Sequence, residues 1–228
     1  MEIIFTNTSL FSHIKSPEPA SKSIPEWYKN TESYISGKKK PDGNGKTTAT
    51  IKRCMPVFDA ITSGYIIYSS TDVYISIKNN QPWFEWPATD MVDFHPIEQA
   101  PLYPNKNKYS AYPKWINPWS IKTPPGYSIL ITQPLHREAP FTILDGIVDT
   151  DKYFSPVNFP FIMNDKNFEG LIPEGTPLAQ VIPFKRDRWS MRLGSNKEIK
   201  DQNEVILKMQ TRFFDKYKTL FRSEKEYK

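Results

Sequence analysis

The chain is 228 residues long, with 30 Lys and Arg against 25 Asp and Glu and a single cysteine, Cys54. That length supports one sizeable core, or a core with a helical appendage. One Cys excludes an internal disulfide framework and a cysteine-based zinc site, and no apolar run reaches the ~20 residues that span a bilayer.

Aromatic residues are abundant (14 Phe, 12 Tyr, 6 Trp) and so is proline, at 21. Proline at this density ends helices and marks turns and strand ends, so short strands are expected throughout. In chain order, Met1–Thr8 reads as a first strand; it lacks the basic region and longer apolar core of a secretory signal. Ser23-Ile-Pro-Glu-Trp-Tyr-Lys29 reads as a helix start, with Pro25 in the first turn. Lys38 to Lys46 is a loop by its charge, Gly and Pro. Its Gly43-Asn44-Gly45 core has the backbone N–H groups to cradle a phosphate. It lacks the Gly-Lys-Ser/Thr spacing of a P-loop, and a solvated hairpin tip is the plainer reading.

From Thr48 to Ile77 the pattern is β, with Val73, Ile75 and Ile77 on one face and a turn at Asn79-Asn80-Gln81-Pro82. Residues 83–119 hold Trp83, Trp86, Trp115 and Trp119. This aromatic-rich insertion, about 78–119, either packs on a sheet or presents a ligand or partner surface. Strands follow at 128–132, 141–148, 158–163 and 176–184, at the spacing of a sandwich or barrel. Beyond them, 197–228 contains no Pro or Gly, and Ile206, Met209, Phe213, Tyr217, Leu220 and Phe221 recur at helical spacing. The expected organisation is a single β domain over 1–196 and an amphipathic helix over 197–228, docked on that domain or on a neighbouring subunit.

The string Gly146-Ile-Val-Asp-Thr-Asp-Lys-Tyr153 is where chemistry is best sought. Asp149 sits where a carboxylate can orient a water molecule. Equally, Asp149 and Asp151 can cap their own turn, as Asp does in many turns. The histidines, His13, His95 and His136, are scattered, so a 2-His-1-carboxylate metal site would need distant segments and none is expected. Net charge is +5 with both signs mixed along the chain, which does not favour a nucleic-acid binder.

Four segments, in order, resemble the dUTPase and dCTP-deaminase superfamily. Ser63-Gly-Tyr-Ile-Ile-Tyr-Ser-Ser-Thr-Asp-Val-Tyr-Ile75 is similar to its first motif. Thr123-Pro-Pro-Gly-Tyr-Ser128 is similar to the turn leading into the second, Gly146 to Tyr153 to the third, and Phe168 to Ile182 to the fourth. The resemblance implies a mainly β fold, a dUTPase-like β-clip (a distorted barrel or sandwich), usually a homotrimer with sites at subunit interfaces. It implies a β-hairpin at 146–153, with Asp149 as the water-activating carboxylate, Tyr153 as the ring under the sugar, and Gln180 as a base or backbone contact. Arg137, Lys185 and Arg186 are then the candidates for anion contacts, and Mg²⁺ would arrive with a nucleotide.

The departures bear on activity. Ile66 stands where the first motif carries Asp, Gln133-Pro-Leu-His-Arg137 replaces the phosphate-binding Arg-Ser-Gly, and the Gly-rich C-terminal arm is absent. Phosphate-ester chemistry relies on donors and a metal placed around developing charge, and an Asp alone supplies neither. A second resemblance rests on Ile24-Pro-Glu-Trp-Tyr-Lys29, Asn117-Pro-Trp-Ser120, Thr123 to Ser128 and Gly175 to Arg186. It is to a family of large tailed phages and some bacteria, and implies a viral origin without an activity. The expectation is a phage protein that kept the scaffold, lost nucleotide hydrolysis, and holds a small anionic ligand or a protein partner in the host cytoplasm. The alternatives are a divergent nucleoside-triphosphate pyrophosphatase with Asp149 as general base, and a virion component.

Overall fold

The computed structural model describes residues 1–8, 14–40, 47–87, 90–99, 111–210 and 215–228. Gly43-Asn44-Gly45, His13 and Phe213 lie outside them. The chain is mainly β, in open antiparallel sheets with no closed barrel among the described residues. It groups into two compact units: Met1–Ser23 with Gly64–Arg186, and Ile24–Ser63 with Asp187–Lys228.

The first unit begins with β1 (Ile4–Asn7) and β2 (Glu18–Pro19) and continues after Gly64 with β3 (Tyr65–Tyr68), β4 (Val73–Lys78), β5 (Gln81–Glu85) and β6 (Val92–Pro96). Then come β7 (Ala111–Trp115), β8 (Trp119–Lys122), β9 (Tyr127–Thr132), β10 (Phe141–Ile143) and β11 (Gly146–Val148). The last three are β12 (Phe159–Met163), β13 (Gly170–Ile172) and β14 (Pro177–Lys185). The sheets run β11-β9-β14-β3-β2, β10-β12-β7-β6, β13-β4-β5 and β1-β8. Alternation aims Val73, Ile75, Ile129, Ile131, Phe159, Phe161 and Met163 into one shared core, as a period of two requires.

Two turns follow from their own residues. Asn79 and Asn80 both adopt left-handed φ (53° and 62°) between β4 and β5, the backbone that a two-residue hairpin needs and Asn tolerates. Gly126 takes φ 83° after Pro125, and Tyr127 N–H donates to Pro124 O at 3.2 Å. That is a type II turn, with Pro and Gly at the positions that favour it.

The tryptophan question divides. Trp115 is fully buried and stacks on Phe161 with centroids 4.4 Å apart, and Trp119 is buried with it. Trp83 is half exposed, with the Lys78 ammonium 4.4 Å from its ring centroid. The described part of the insertion is therefore split: β7 and Trp119 enter the core, whereas β5 and β6 each bury a single side chain and leave Trp83 and Phe94 exposed.

The structure corrects three local expectations. The β pattern over 48–77 is interrupted by a helix at Met55–Thr62, preceded along the second unit by another at Glu26–Asn30; these are α1 (Glu26–Asn30) and α2 (Met55–Thr62). Pro56 fits the first turn of α2, and the chain leaves through Gly64 at φ 68°. The single strand expected at 141–148 breaks at Leu144-Asp145, because β10 pairs with β12 while β11 pairs with β9. The C-terminal helix is two: α3 (Asn196–Gln210) and α4 (Lys216–Leu220), with Asp215 left-handed at the start of the latter. Within this unit Asp59 on α2 is buried and ion-paired to Arg222 (2.7 Å) and Lys225 (3.1 Å), which fastens the terminal segment to the helix.

Candidate functional site

Segment 146–153 is not a hairpin on itself. β11 pairs with β9, and the chain then closes a turn in which Lys152 and Tyr153 N–H both donate to Asp149 O, at 3.0 and 2.9 Å. No strand returns from that turn: the described chain stays irregular until β12. The turn lies against the Pro-Pro-Gly turn that starts β9. Thr123 and Thr150 hydroxyls meet at 2.8 Å, and Gly126 N–H donates to Asp151 Oδ2 at 2.9 Å.

Arg186, just past β14, closes the arrangement. Its backbone N–H donates to Gly126 O at 2.8 Å. Its guanidinium forks onto Asp151, with Nη1 2.9 Å from Oδ1 and Nη2 bonded to Oδ2, while Nη1 also reaches Asp149 Oδ1 at 3.0 Å. Ser128 Oγ donates to that same Asp149 oxygen at 2.6 Å. The Asp151 side chain is 7% exposed, whereas that of Asp149 is 53% exposed and its second oxygen carries no bond in this network. The Arg186 fork and the Gly126 N–H hold the Asp151 carboxyl at a pKa of about 2. The Ser128 hydroxyl and Arg186 hold Asp149 below the usual carboxylate range. A guanidinium thus stands where a divalent cation would bridge the pair, so these carboxylates do not fit a metal. No group of three or more His, Cys, Asp or Glu side chains gathers as a metal site among the described residues.

The expected site residues fall into two places. Asp149, Tyr153, Lys185 and Arg186 lie at one end of the β9–β14 pair, where Lys185 faces Tyr127. Gln180 and Arg137 lie at the other, where Gln180 faces Thr132. The six-residue strand separates them by roughly 17 Å at ~3.3 Å per step. Tyr153 is 54% exposed and, with Phe154, Lys152, Ser120 and Thr8, lines an open recess of about 490 Å³. Gln180 is fully buried, its Oε1 accepting from Leu135 N–H at 2.8 Å. It holds the 133–137 loop, where His136 sits at φ 57°. Arg137 Nη2 bonds Ser23 O. Its Nε and Nη1 are buried with no acceptor among the described residues, and burial pulls its pKa below the ordinary arginine value.

Gly126 and Ser128, marked in the sequence only as members of the Thr123–Ser128 turn, both bond the carboxylates of this network. Ser128 stands between the Pro-Pro-Gly turn and the apolar run Ile129-Leu130-Ile131, and it is fully buried there. Ile66 is likewise fully buried in β3, between Glu18 and Gln180.

No protein-family model and no curated protein matches the chain. Among solved structures it is similar to a dUTPase from phage phi11 of S. aureus, described with a structural Mg(II) ion. Identity is 12%, coverage 87% of this chain and 99% of that one, and the TM-score 0.40. It is similar also to the dUTPase of Staphylococcus bacteriophage 80alpha with dUpNHpp, at 13% identity, 85% and 87% coverage and TM-score 0.37. At these values the likeness assigns this chain neither an activity nor an assembly.

Proposed function

We propose that this is a phage binding protein on a dUTPase-like scaffold, holding a small anionic ligand without hydrolysing it. The observation that carries the reading is the Asp149–Arg186–Asp151 network. A general base works best with a pKa near the working pH, and Asp149 is pushed the other way. Arg186, the natural phosphate contact by position, has its guanidinium directed at two carboxylates. Its charge is compensated inside the chain and is not available to a triphosphate without breaking the fork.

Arg137 is the better anion contact. Burying a guanidinium without a counter-charge costs several kcal/mol, and an anion set against Nε and Nη1 offsets that cost. The two groups of residues, roughly 17 Å apart in one chain, would meet across an interface in a homotrimer, with Arg137 of one copy facing Tyr153 and Lys185 of the next, while the buried Gln180 holds the 133–137 loop in place.

The test is a panel of nucleotides and inorganic anions, scored on the same samples for melting temperature and for pyrophosphate release. A ligand that binds only the folded state raises its melting temperature. The expected result is such a rise for at least one anion, lost in Arg137→Met, with no turnover. Turnover abolished by Asp149→Asn would instead establish the hydrolase.

A further inference from the structure

Along the sequence the two signs of charge alternate, and that mixing speaks against a nucleic-acid partner. Sorting residues by compact unit changes the picture. By sequence, Met1–Ser23 with Gly64–Arg186 carries 12 Lys and Arg against 14 Asp and Glu, a net −2; Ile24–Ser63 with Asp187–Lys228 carries 18 against 11, a net +7. The net positive charge of the molecule therefore resides in the 82 residues of the second unit.

Within that unit a recess of about 190 Å³ is lined by Tyr34, Arg53, Met209, Lys216, Tyr217 and Lys218. The Arg53 guanidinium lies 5.7 Å from the Tyr34 ring centroid. Its Nη2 pairs with Asp215, and its Nε is buried with no acceptor among the described residues. Lys39 reaches the same Asp215 at 3.9 Å. Arg53 and Lys39 thus share the Asp215 carboxylate, Lys216 and Lys218 line the same recess as Asp215, and Tyr217, also lining it, is 40% exposed. Phosphates are drawn to clustered Lys and Arg, and tyrosine faces give unpaired bases a surface on which to stack. A recess of this volume admits one base-sized group and not a duplex.

We propose that the second unit binds single-stranded nucleic acid, with Lys39, Arg53, Lys216 and Lys218 on phosphates and Tyr217 against a base. This site is independent of the ligand reading of the first unit and stands or falls without it.

The test is fluorescence anisotropy of the full chain with labelled oligo-dT and oligo-U of about 20 nucleotides, as a function of salt. Each phosphate neutralised on a single strand contributes a slope of ~0.7 in log K against log salt. The net three positive charges predict a slope near −2, a loss of roughly 15- to 20-fold between about 50 and about 200 mM salt. The triple variant Lys39→Gln, Lys216→Gln, Lys218→Gln should bind at least about tenfold more weakly with a flatter slope. Tyr217→Ala should weaken the oligonucleotides while leaving inorganic polyphosphate unchanged. Lys166→Gln in the first unit should change nothing, and unchanged circular dichroism and melting of each variant exclude misfolding. Absence of binding at about 50 mM salt, a triple variant that binds like the parent chain, or Tyr217→Ala without effect would each overturn the proposal. The last outcome would leave a bare polyanion surface.

Discussion

At the scale of single residues, Arg186 is the side chain on which most depends. It ties the ends of β9 and β14 to the turn at 149–152 through groups 35 residues apart in sequence, Asp151 and Arg186. Both carboxyls it touches have folded-state pKa values below their unfolded values, Asp151 at about 2. A depressed carboxyl contributes stability that is present above its unfolded pKa, ~3.9, and is lost as pH falls through the folded value. The parent chain is therefore expected to lose melting temperature between about pH 4 and about pH 2, and Asp151→Asn to lose it at neutral pH with a flatter acid limb. Melting curves across that range measure both. Gly64 is the second such residue. At φ 68° a Cβ would stand 2.0 Å from Val181 O, in backbone that cannot retreat without opening the β14–β3 pairing. Gly64→Ala should cost at least about 2 kcal/mol in urea unfolding, through left-handed strain and the clash together.

At the scale of elements, the β4–β5 hairpin and the C-terminal segment behave differently. The hairpin turn is fixed by its own two asparagines, so a change there acts locally. Asn80→Gly should be neutral or slightly stabilising, because glycine adopts left-handed φ freely, while Asn80→Val should cost ~1–2 kcal/mol, read from the same unfolding curves. The terminal segment is held from outside by Asp59 on α2. Arg222 gives that carboxylate a two-nitrogen contact, and both side chains are largely shielded, at 9% and 15% exposure. The Arg222 pairing is the main reason the Asp59 pKa is lowered. Removing one partner of a shielded pair strands the other, at a cost on the order of 3 kcal/mol. Asp59→Asn should expose the segment after Phe221 to proteolysis and hydrogen exchange, while β9 and β14 keep their protection. Equal loss of protection in the strands would show that the two units unfold as one.

At the scale of the whole molecule, two compact units carry opposite net charge. The ligand reading of the first requires assembly, because its candidate residues are spread over both ends of one strand pair. Light scattering is expected to return three times the 26.5 kDa chain mass. A monomer at micromolar concentration would leave Arg137 and Tyr153 too far apart to share a ligand.

Much of the fold was legible from the sequence, for a local reason. The Pro-Pro-Gly turn, the Asn-Asn turn, the helix entry at Pro25, the alternating runs of β4 and β12 and the apolar runs of β9 and β14 are set by residues within a few positions of one another. Their backbone preferences act before any distant contact forms. What the sequence could not reveal depends on long-range closure. The strand expected at 141–148 split because its halves found different partners. Met55–Thr62 is the exception, helical where a β pattern was read although Pro56 in its first turn is a local helix-start signal. Arg186, assigned by position to an external anion, turned to Asp149 and Asp151, because β14 pairing with β9 carried it to their turn. The separation of charge between the units is of the same kind. Linear order interleaves the two units, and only the folded contacts decide which lysines share a surface.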